Sequence, residues 1–401
     1  MLIAKRLAKG YITKIMQKIR LTAKGRRWRR TGHPWIYRND LLPGQTAVSG
    51  EVVAVYDAQE RFLGQALYSA VSRIALRLLT VDDIPINADF WEARLHQALA
   101  YRRRVVTNSN ACRLIYAEAD GFPGLILDNY DGHLVFQIHH PGMARLLPQL
   151  IDLLQPLLRP QSITLRNDSE VRRLEGLPLE IEVIRGELPE RLLVQEGTVQ
   201  FWVDVRGGQK TGLFLDQREN RLAAAAWAQG EVLDCFSYQG GFALHVASHA
   251  QHVVAVESSA LSLGLAQDNA RLNRMHNVDW IQANCFDFLK KAHASSKFYD
   301  LIILDPPAFA KSRADQPAAF RGYQDLNRRA LQLLKPGGIF ITCSCSYNLS
   351  QETFLGLLRQ AAQDARRQVQ VIECRGAAKD HPTLLALPES TYLKCFVCRA
   401  L

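Results

Sequence analysis

The stretch Glu231-Val-Leu-Asp-Cys-Phe-Ser-Tyr-Gln-Gly-Gly-Phe242 decides the fold of this 401-residue chain. An apolar run comes first, Gly240 and Gly241 follow, and the chain then continues through Ala-Leu-His-Val-Ala247. This order predicts a buried parallel strand, a tight turn and a helix. Glycines in such a turn let the backbone approach a ligand closely, although the spacing is not that of the dinucleotide-binding fingerprint.

Three further apolar runs follow this stretch, and each ends in polar residues. The first ends at Glu257, 23 residues beyond Asp234, and this spacing suits an acid that binds ribose hydroxyls. The second ends at Asn284, and the third ends in Asp305-Pro-Pro307. Because ligands of open α/β sheets bind at the carboxyl ends of the strands, these residues are predicted to line one site.

The series resembles the class I S-adenosylmethionine-dependent methyltransferases. The resemblance implies an α/β fold with a C-terminal Rossmann-like domain, a mostly parallel seven-stranded sheet, and S-adenosyl-L-methionine as the cofactor. It also implies which residues bind this cofactor: Phe236, Ser237, Gly240, Gly241, Glu257, Asn284, Asp305, Lys210 and Asp216. A doubly wound nucleotide-binding domain of another kind stays open as the alternative.

The positive charge of the chain is concentrated at its N-terminus. The net charge is +10, and the first 40 residues hold twelve of the 49 Lys and Arg residues but one of the 39 acids, Asp40. A basic arm beside a nearly neutral body favours a polyanionic partner such as nucleic acid, and a merely solvated charged face is the alternative. No apolar run reaches the roughly 18 residues of a membrane span, so no membrane partner is expected.

Eight cysteines are scattered along the chain, several of them within apolar runs. This distribution favours a reducing cytoplasm over a disulfide framework. Cys395 and Cys398 have the spacing of half a zinc site, but no second pair or histidine stands nearby, so a pair of strand cysteines and no metal is expected. Residues 1–19 contain no acid and are interpreted as a basic extension, with Met16 as the natural first residue.

Four segments are predicted along the chain. After the extension at 1–19 come a small β-barrel domain at 20–92, an α+β middle domain at 93–190 and the methyltransferase domain at 191–401. Within the first of these domains, Gly32-His-Pro-Trp-Ile-Tyr37 followed by short strands resembles the PUA domain of RNA-modifying enzymes.

The middle segment carries two local expectations. A helix is predicted from Arg145 to Leu158, and Pro141 and Pro148 weaken any longer helix there. Three acids of this segment are interpreted as turn and cap residues rather than as an acid/base pair: Glu118, Asp120 and Asp128.

Cations alternate with aromatic residues between positions 24 and 37. Arg and Lys can neutralise phosphates while aromatic faces stack on bases, so this stretch is predicted to bind RNA. Trp35 and Tyr37 as core residues are the alternative. The residues assigned to RNA binding are Lys24, Arg26, Arg27, Arg29, Arg30, His33, Trp35 and Arg321.

Two strand ends define the expected chemistry. Asp305 begins an Asp-Pro-Pro tip, and a fifth apolar run places Cys343 and Cys345 two residues apart, with Cys345 nearer the ligand edge. A thiolate that adds to carbon 6 of a pyrimidine makes carbon 5 able to accept a methyl group. Asp305 could hold the base edge and bond the ring nitrogen. Cys345 and Asp305 are therefore the predicted catalytic residues, and a buried strand cysteine is the alternative for Cys345.

The chain resembles the bacterial 23S ribosomal RNA cytosine-C5 methyltransferase family related to RlmI from about residue 20 to its end. The family implies a PUA domain, a middle domain, a Rossmann-like methyltransferase domain and a strand-five cysteine nucleophile, which falls on Cys345. It also implies 23S ribosomal RNA as the partner. The motifs that carry the resemblance are His33-Pro-Trp35, Glu118–Gly124, Gln209–Gly212, Leu215–Arg218, Cys235–Tyr238, Gly240–Phe242, Asp305–Pro307, Arg321–Tyr323, Ser344–Ser346 and Asp380–Pro382.

Two positions depart from the pattern of such enzymes. Ala308 stands where many RNA cytosine-C5 enzymes carry another cysteine, and Asn284 stands where an acid is expected to face the adenine. The amide oxygen of Asn284 can accept the same hydrogen bond without the charge.

Two other functions stay open. An enzyme that methylates an exocyclic amino group of adenine or guanine would use the Asp305-Pro-Pro-Ala-Phe309 tip and need no cysteine. A non-catalytic RNA-binding or ribosome-assembly protein would keep the basic arm alone. A homodimer is open as well.

Overall fold

A five-stranded sheet forms the N-terminal part of the structure. The structure of the protein is a computed structural model that describes residues 16–208, 211–294, 297–309 and 315–401. The sheet has the order β1-β3-β4-β5-β2, in which β1 and β3 are parallel and the other neighbours antiparallel. Its elements are β1 (Lys18–Leu21), α1 (Ala23–Arg29), β2 (Trp35–Tyr37), β3 (Val52–Asp57), β4 (Phe62–Tyr68) and β5 (Ile74–Thr80).

Helix α1 carries four of the eight Lys and Arg residues that the structure describes within the first 40 residues. Thr22 caps the N-terminus of this helix, because its hydroxyl accepts a hydrogen bond from Gly25 N at 3.0 Å. Gly25 packs directly on the backbone of Asp40, where a Cβ would collide with the Asp40 carbonyl oxygen. Only glycine fits this close approach, which holds α1 against the sheet.

The middle of the chain forms a second five-stranded sheet, of order β10-β9-β8-β7-β6, covered on one face by two helices. Side chains from both helices, including Trp91, Leu95, Met143 and Leu150, share one core with the sheet. The elements are α2 (Ala88–Val105), β6 (Ala111–Tyr116), β7 (Leu125–Tyr130), β8 (His133–Ile138), α3 (Pro141–Leu158), β9 (Ser162–Asn167) and β10 (Glu180–Gly186).

Helix α3 corrects one expectation. The sequence predicted a start at Arg145, whereas the helix begins at Pro141 and continues through Pro148. Proline suits the first helical position because it has no N–H to leave unsatisfied, and the side chain of His140 caps the Gly142 N–H at 3.0 Å. The buried packing of this helix on the sheet compensates for the missing backbone hydrogen bond at Pro148.

Of the three acids interpreted as turn and cap residues, Glu118 and Asp120 lie in the short 3-10 helix Ala117–Asp120, where Asp120 Oδ2 accepts a hydrogen bond from Tyr116 N at 2.6 Å. The interpretation was wrong for Asp128, and all three acids also form ion pairs. Asp128 lies within β7, is fully buried, and accepts a hydrogen bond from Arg113 Nε at 2.8 Å. Glu118 accepts one from Arg77 Nη1 at 2.6 Å. Burial of carboxylates requires such partners, and residue order alone does not reveal them.

A seven-stranded sheet forms the C-terminal part, of order β15-β14-β13-β16-β17-β19-β18. The first five strands in this order are parallel, and β19 is antiparallel to both of its neighbours. The mostly parallel seven-stranded sheet predicted from the sequence is thereby confirmed. A hairpin of β11 (Leu192–Glu196) and β12 (Val199–Val203) precedes this sheet. The seven strands of the sheet are β13 (Glu231–Cys235), β14 (His252–Glu257), β15 (Val278–Gln282), β16 (Tyr299–Leu304), β17 (Leu334–Ser344), β18 (Val369–Arg375) and β19 (Lys394–Ala400).

Helices cover both faces of this sheet. One core contains Tyr323, Phe340 and Phe354, and the core on the other face contains Phe242 and Ile341. Burial on both faces explains why the strands read as nearly continuous apolar runs. The helices are α4 (Arg218–Trp227), α5 (Gly241–Ala247), α6 (Ala260–Leu272), α7 (Cys285–Ala294), α8 (Gln316–Leu333) and α9 (Gln351–Asp364).

Buried polar contacts around Asp380 join the middle sheet to the C-terminal sheet. Asp380 Oδ2 accepts hydrogen bonds from the backbone N of Arg113 at 2.9 Å and from Arg218 Nη1 at 3.0 Å. Asp380 and Arg218 are both fully buried. Because Arg113 belongs to β6 and Arg218 opens α4, one carboxylate connects the two sheets.

Two further expectations concern membranes and metals. Within the described ranges, no helix has both the length and the apolar character needed to cross a membrane. Cys395 and Cys398 lie buried in β19, and Cys395 faces Cys343 across the strand pair. Among all the residues that the structure describes, no group of three or more His, Cys, Asp or Glu side chains is arranged to hold a metal ion.

Candidate active site

The turn after β13 folds back tightly onto the neighbouring strand. Phe236, Tyr238 and Gly240 all have positive φ, at 66°, 51° and 82°. The backbone N–H groups of Phe236 and Ser237 both donate to the Val256 carbonyl oxygen, at 3.0 and 3.1 Å. These bonds help to hold the non-glycine residues Phe236 and Tyr238 in the left-handed region. Such strained backbone is found at ligand sites.

Gly240 is the N-cap residue of helix α5, at a position where a side chain would collide. A Cβ at this position would lie 2.8 Å from the indole ring of Trp280, and the positive φ favours glycine as well. Asp234 anchors the other side of the turn, because its Oδ2 accepts a hydrogen bond from Ala243 N at 3.0 Å. Burial raises the pKa of Asp234 to about 7, and the nearby carboxylates of Asp305 and Glu257 add to the shift.

Glu257 stands at the end of β14 and ties two loops together. Its Oε2 accepts a hydrogen bond from Tyr238 N at 3.0 Å, and its Oε1 accepts one from Ser259 N at 2.8 Å. The carboxylate is therefore fixed at the carboxyl edge of the sheet by backbone donors from both sides, as a ligand-binding acid requires.

A cavity of about 440 Å³ runs along this edge of the sheet. Among its lining residues are seven of those predicted to bind the cofactor, and the eighth, Gly240, directly precedes the lining residue Gly241. The ninth, Lys210, lies outside the described residues. The predicted residues that line the cavity are Asp216, Phe236, Ser237, Gly241, Glu257, Asn284 and Asp305.

The charge of the cavity wall is mainly negative. Asp216, Glu257 and Asp305 all line it. The one lining residue with a cationic side chain in the described part of the chain is Arg221, which forms an ion pair with the buried Glu196 at 2.6 Å. Such a wall favours a ligand that carries positive charge.

Asn284 serves helix α7 as well as the cavity. Its Oδ1 accepts a hydrogen bond from Phe286 N at 2.9 Å, at the start of that helix. The oxygen expected to face an adenine is therefore already bonded to the protein backbone, although an amide oxygen has a second lone pair.

Asp305 is positioned by a glutamine that sequence reasoning did not single out. Gln217 Nε2 donates to Asp305 Oδ1 at 2.9 Å, and Gln217 is itself only 3% exposed. Asn220 in turn donates to Gln217 Oε1 at 2.7 Å. Gln217 belongs to the Leu215–Arg218 motif, and that motif was the one signal that could have identified it.

Cys345 follows the last residue of β17 and faces the cavity. Its Sγ lies 3.9 Å from the carbonyl oxygen of Pro306, which follows Asp305 on the neighbouring strand end. Cys345 is partly exposed and lines the cavity, whereas Cys343 is fully buried in the sheet. The two residues expected to carry the chemistry therefore stand at one end of one cavity.

Aromatic side chains that were not among the predicted site residues complete the wall. Phe214, Tyr238, Phe286 and Phe309 line the cavity, and the ring of Phe309 lies 4.8 Å from that of Tyr323 beneath it. Aromatic residues are common in buried positions, so their number in the sequence carries no signal of a ligand site.

The residues predicted to bind RNA lie in three places. Lys24, Arg26, Arg27 and Arg29 belong to α1 with Arg30 just after it, and Arg321 lies exposed on α8. His33 and Trp35 point inward, toward other parts of the chain. His33 Nε2 lies 3.2 Å from Glu389 Oε2, and Trp35 Nε1 donates to Glu118 Oε1 at 2.7 Å.

Comparisons with known proteins agree with this geometry. A family model for an S-adenosylmethionine-dependent methyltransferase matches residues 165–384, and a model for a PUA-like domain matches residues 19–81. Ribosomal RNA large subunit methyltransferase I of Yersinia pestis bv. Antiqua (strain Angola) is 39% identical over 379 residues, which covers 92% of this chain and 96% of that protein. The protein of the same name from Yersinia pseudotuberculosis serotype O:1b (strain IP 31758) is 39% identical over 377 residues, or 92% and 95% of the two chains.

Solved structures share the fold over nearly the whole chain. The crystal structure of SMU.776, assigned as a methyltransferase and complexed with SAH, superposes with a TM-score of 0.83 at 21% identity and covers 96% of this chain and 100% of that one. A second structure, of a Streptococcus mutans protein assigned as an S-adenosylmethionine-dependent methyltransferase, has a TM-score of 0.81 at 21% identity with the same coverage.

Proposed function

This chain belongs to the family of ribosomal RNA large subunit methyltransferase I, within the S-adenosylmethionine-dependent methyltransferases, and on this premise we propose its reaction. It transfers a methyl group to carbon 5 of a cytosine in 23S ribosomal RNA through a covalent bond between Cys345 and carbon 6. The observation that carries the proposal is the position of Cys345 Sγ, 3.9 Å from Pro306 O, beside Asp305 in the cavity. The family, the enzyme class and the cofactor expected from the sequence are confirmed.

The residues around the cavity fit S-adenosylmethionine. A volume of about 440 Å³ lies within the range of small-molecule sites. The carboxylates suit a ligand with a sulfonium and an ammonium group, and Glu257 suits its ribose hydroxyls. Gln239 Oε1 is a buried acceptor without a hydrogen-bond partner among the described residues, and a polar ligand group would satisfy it.

The other predicted cofactor-binding residues take complementary parts. Phe236, Ser237, Gly240 and Gly241 would surround the methionine part, Asn284 would face the adenine, and Asp216 and Asp305 would complete the wall. Lys210 remains a prediction for the cofactor's carboxylate. When bound, S-adenosylmethionine supplies an electrophilic methyl group and leaves as S-adenosylhomocysteine.

Cys345 acts as the nucleophile. Its thiolate sulfur forms a bond to carbon 6 of the cytosine, and the π electrons of the C5–C6 bond make carbon 5 nucleophilic. After carbon 5 has accepted the methyl group, a base removes its proton. The C–H electron pair restores the C5–C6 double bond, and the electrons of the C6–S bond return to the sulfur.

Asp305 holds the target base. Its carboxylate can accept a hydrogen bond from the exocyclic amino group of cytosine, a pairing that acids commonly make with this base. The hydrogen bond from Gln217 Nε2 at 2.9 Å fixes the carboxylate for that task. Gln217 is therefore a positioning residue that acts through Asp305.

The experiment that tests this function uses purified protein, labelled S-adenosylmethionine and protein-free large-subunit RNA from a strain that lacks the gene. The RNA is digested to nucleosides and the labelled nucleoside identified. Label in 5-methylcytidine is the expected result. Label in a methylated adenosine or guanosine would contradict this function. It would instead favour methylation of an exocyclic amino group at the Asp305 tip. RNA that stays unlabelled although the protein binds S-adenosylhomocysteine would favour a non-catalytic role.

Binding of the RNA is assigned to the basic arm, with Arg321 and the inward-facing His33 and Trp35 in supporting roles. The cations on α1 contact phosphates, because this part of the chain holds the excess of positive charge. The segments 1–19, 20–92, 93–190 and 191–401 and a cytoplasmic location remain predictions from the sequence, and a homodimer stays open.

Replacing Glu257 by alanine is expected to weaken cofactor binding. The change removes the acceptor for the ribose hydroxyls and releases the N–H groups of Tyr238 and Ser259. A charged hydrogen bond contributes about 1.5–3 kcal/mol, so affinity for S-adenosylhomocysteine should fall about 10- to 100-fold in calorimetry. Glu231→Ala, at the opposite end of the neighbouring strand, is the matched control and should bind normally. An unchanged affinity of the Glu257 variant would remove this residue from the site.

The double variant Arg27→Gln/Arg30→Gln is expected to bind RNA less tightly and with a weaker salt dependence. Both side chains are exposed at the end of α1. For each phosphate of a single strand that the protein no longer neutralises, the slope of log K against log salt concentration should decrease by about 0.7. Arg271→Gln/Arg274→Gln removes the same charge from the end of α6 as the control. Equal losses of affinity in the two double variants would contradict a specific role for α1.

A further inference from the structure

Lys394 is a buried cation next to the reaction site that the proposed mechanism does not yet use. It opens β19 and pairs in register with Ser344, the residue before Cys345. The residue is 3% exposed, and its Nζ donates to the carbonyl oxygens of Ser346 and Tyr392, each at 2.7 Å. Both acceptors flank the reaction site, one in the loop after Cys345 and one in the loop before β19.

The ammonium lacks a carboxylate partner in the described part of the chain. Its hydrogen bonds go to two neutral carbonyl groups, and an ammonium has a third proton to donate. A buried charge without an opposite charge is costly, so such a group either loses its proton or has an anion nearby. Burial lowers the pKa of Lys394 to about 8, and negative charge on Cys345 acts in the opposite direction. Cys345 is thus the acidic group whose negative charge acts on this ammonium.

Among the residues that the structure describes, the other titratable groups around this loop do not supply a competing cation. Tyr323 bonds Ser344 and Ser346 through its hydroxyl, each at 3.0 Å, and burial raises its pKa. Burial also raises the pKa of Tyr347 and of Tyr392, so all three phenols are neutral at pH 7. The nearby charged groups are Asp216, Asp305 and Arg113, and Arg113 is paired with Asp128.

We propose that Lys394 is a positioning residue whose ammonium stabilises the thiolate of Cys345, an inference that rests on the proposed role of Cys345 as nucleophile. Before reaction, the thiol proton leaves to solvent and the sulfur keeps the electron pair opposite the ammonium. When the C6–S bond breaks at the end of the reaction, the electron pair returns to the sulfur, and the Lys394 ammonium stabilises the thiolate that forms. Lys394 itself neither forms nor breaks a covalent bond.

A purely structural role is the competing explanation, since Lys394 also links two loops. Four variants separate the two roles. Lys394→Gln keeps a donor for the carbonyl groups but removes the charge, Lys394→Met removes both, and Lys394→Arg keeps the charge. Lys335→Met removes the same charge near the opposite end of β17, where Lys335 pairs with Asp300 at 2.7 Å.

The test measures alkylation of Cys345 by iodoacetamide as a function of pH, with the modified peptide quantified by mass spectrometry. The wild-type rate should rise with an inflection below the ordinary thiol pKa of about 8.5. In Lys394→Gln and Lys394→Met the inflection should move up by about one pH unit or more. Methylation at neutral pH should fall about tenfold in kcat, with the KM for RNA nearly unchanged and recovery at higher pH. Lys394→Arg and Lys335→Met should retain the wild-type inflection.

Two results would overturn the proposal. One is a wild-type inflection at or above that of an ordinary thiol, which requires no variant to fold. The other is an unshifted inflection in Lys394→Gln when that variant binds S-adenosylhomocysteine normally. Because alkylation requires neither RNA nor methyl transfer, these results do not depend on which nucleoside the enzyme methylates. If the enzyme does not methylate cytosine, the nucleoside analysis shows this separately.

Discussion

Replacing Cys345 by alanine is expected to abolish methyl transfer, with a loss in kcat on the order of 10³-fold or more. Without the sulfur, carbon 5 of the cytosine is not activated, and no other thiol of the described residues lines the cavity. Affinity for the cofactor should change little, because the groups assigned to it belong to the turn after β13, to Glu257 and to Asp305.

The measurement combines methylation of the RNA with calorimetry of S-adenosylhomocysteine. RNA that carries 5-fluorocytidine adds a direct test of the bond, because carbon 5 then holds no proton for a base to remove and the adduct persists on a denaturing gel. Cys374→Ala is the matched control, since it removes an exposed thiol from β18. Turnover of Cys345→Ala at the wild-type rate would exclude the covalent mechanism and leave Cys345 as a packing residue.

Replacing Asp380 by alanine is expected to reduce the free energy of unfolding by about 3 kcal/mol or more. The change removes the acceptor for the backbone N of Arg113 and for the guanidinium of Arg218, which is fully buried. Arg218 would keep its contact with Glu219 at 3.1 Å, but that carboxylate is 23% exposed and so a weaker partner. Because Asp380 joins two sheets, the loss should appear as earlier separation of the middle sheet from the C-terminal one.

Urea unfolding followed by circular dichroism, together with limited proteolysis between the two sheets, checks this prediction. Glu170→Ala breaks an exposed ion pair with Arg173 in the same chain and should change stability far less. Equal stability of Asp380→Ala and the wild type would show that the buried pair contributes nothing to docking.

The stability that the Asp380 carboxylate contributes is expected to depend on pH. Burial alone would raise the pKa of Asp380, but the hydrogen bond from His381 and the charge of Arg218 outweigh it and hold the pKa well below its ordinary value. A carboxyl whose pKa is lowered in the folded state contributes stability that is present above its unfolded pKa, which is about 4. The difference between the wild type and Asp380→Ala should therefore be constant near neutral pH and shrink as the pH falls below about 4.

Local patterns in the sequence were enough to predict the C-terminal sheet and the position of its ligand edge. Apolar runs that end in Asp305, Glu257 or a glycine turn are short-range signals, and parallel strands bring their carboxyl ends to one edge whatever the details of packing. The family resemblance added the cofactor and the part assigned to Cys345. Helix α3 shows where local rules fail, because packing of its apolar face overrides the proline at position 148.

Only the tertiary structure decided which distant residues serve these groups. Gln217 and Asp305 are 88 positions apart, and Arg218 and Asp380 are 162 apart, yet both pairs are hydrogen-bonded. Lys394 reaches the loop after Cys345 because β19 runs antiparallel to β17. Sequence periodicity reports which face of a strand or helix is buried, whereas buried charges and amides are satisfied by whichever partners the folded chain brings close. Those partners are a property of the packed sheets and cannot be read from neighbouring residues in the chain.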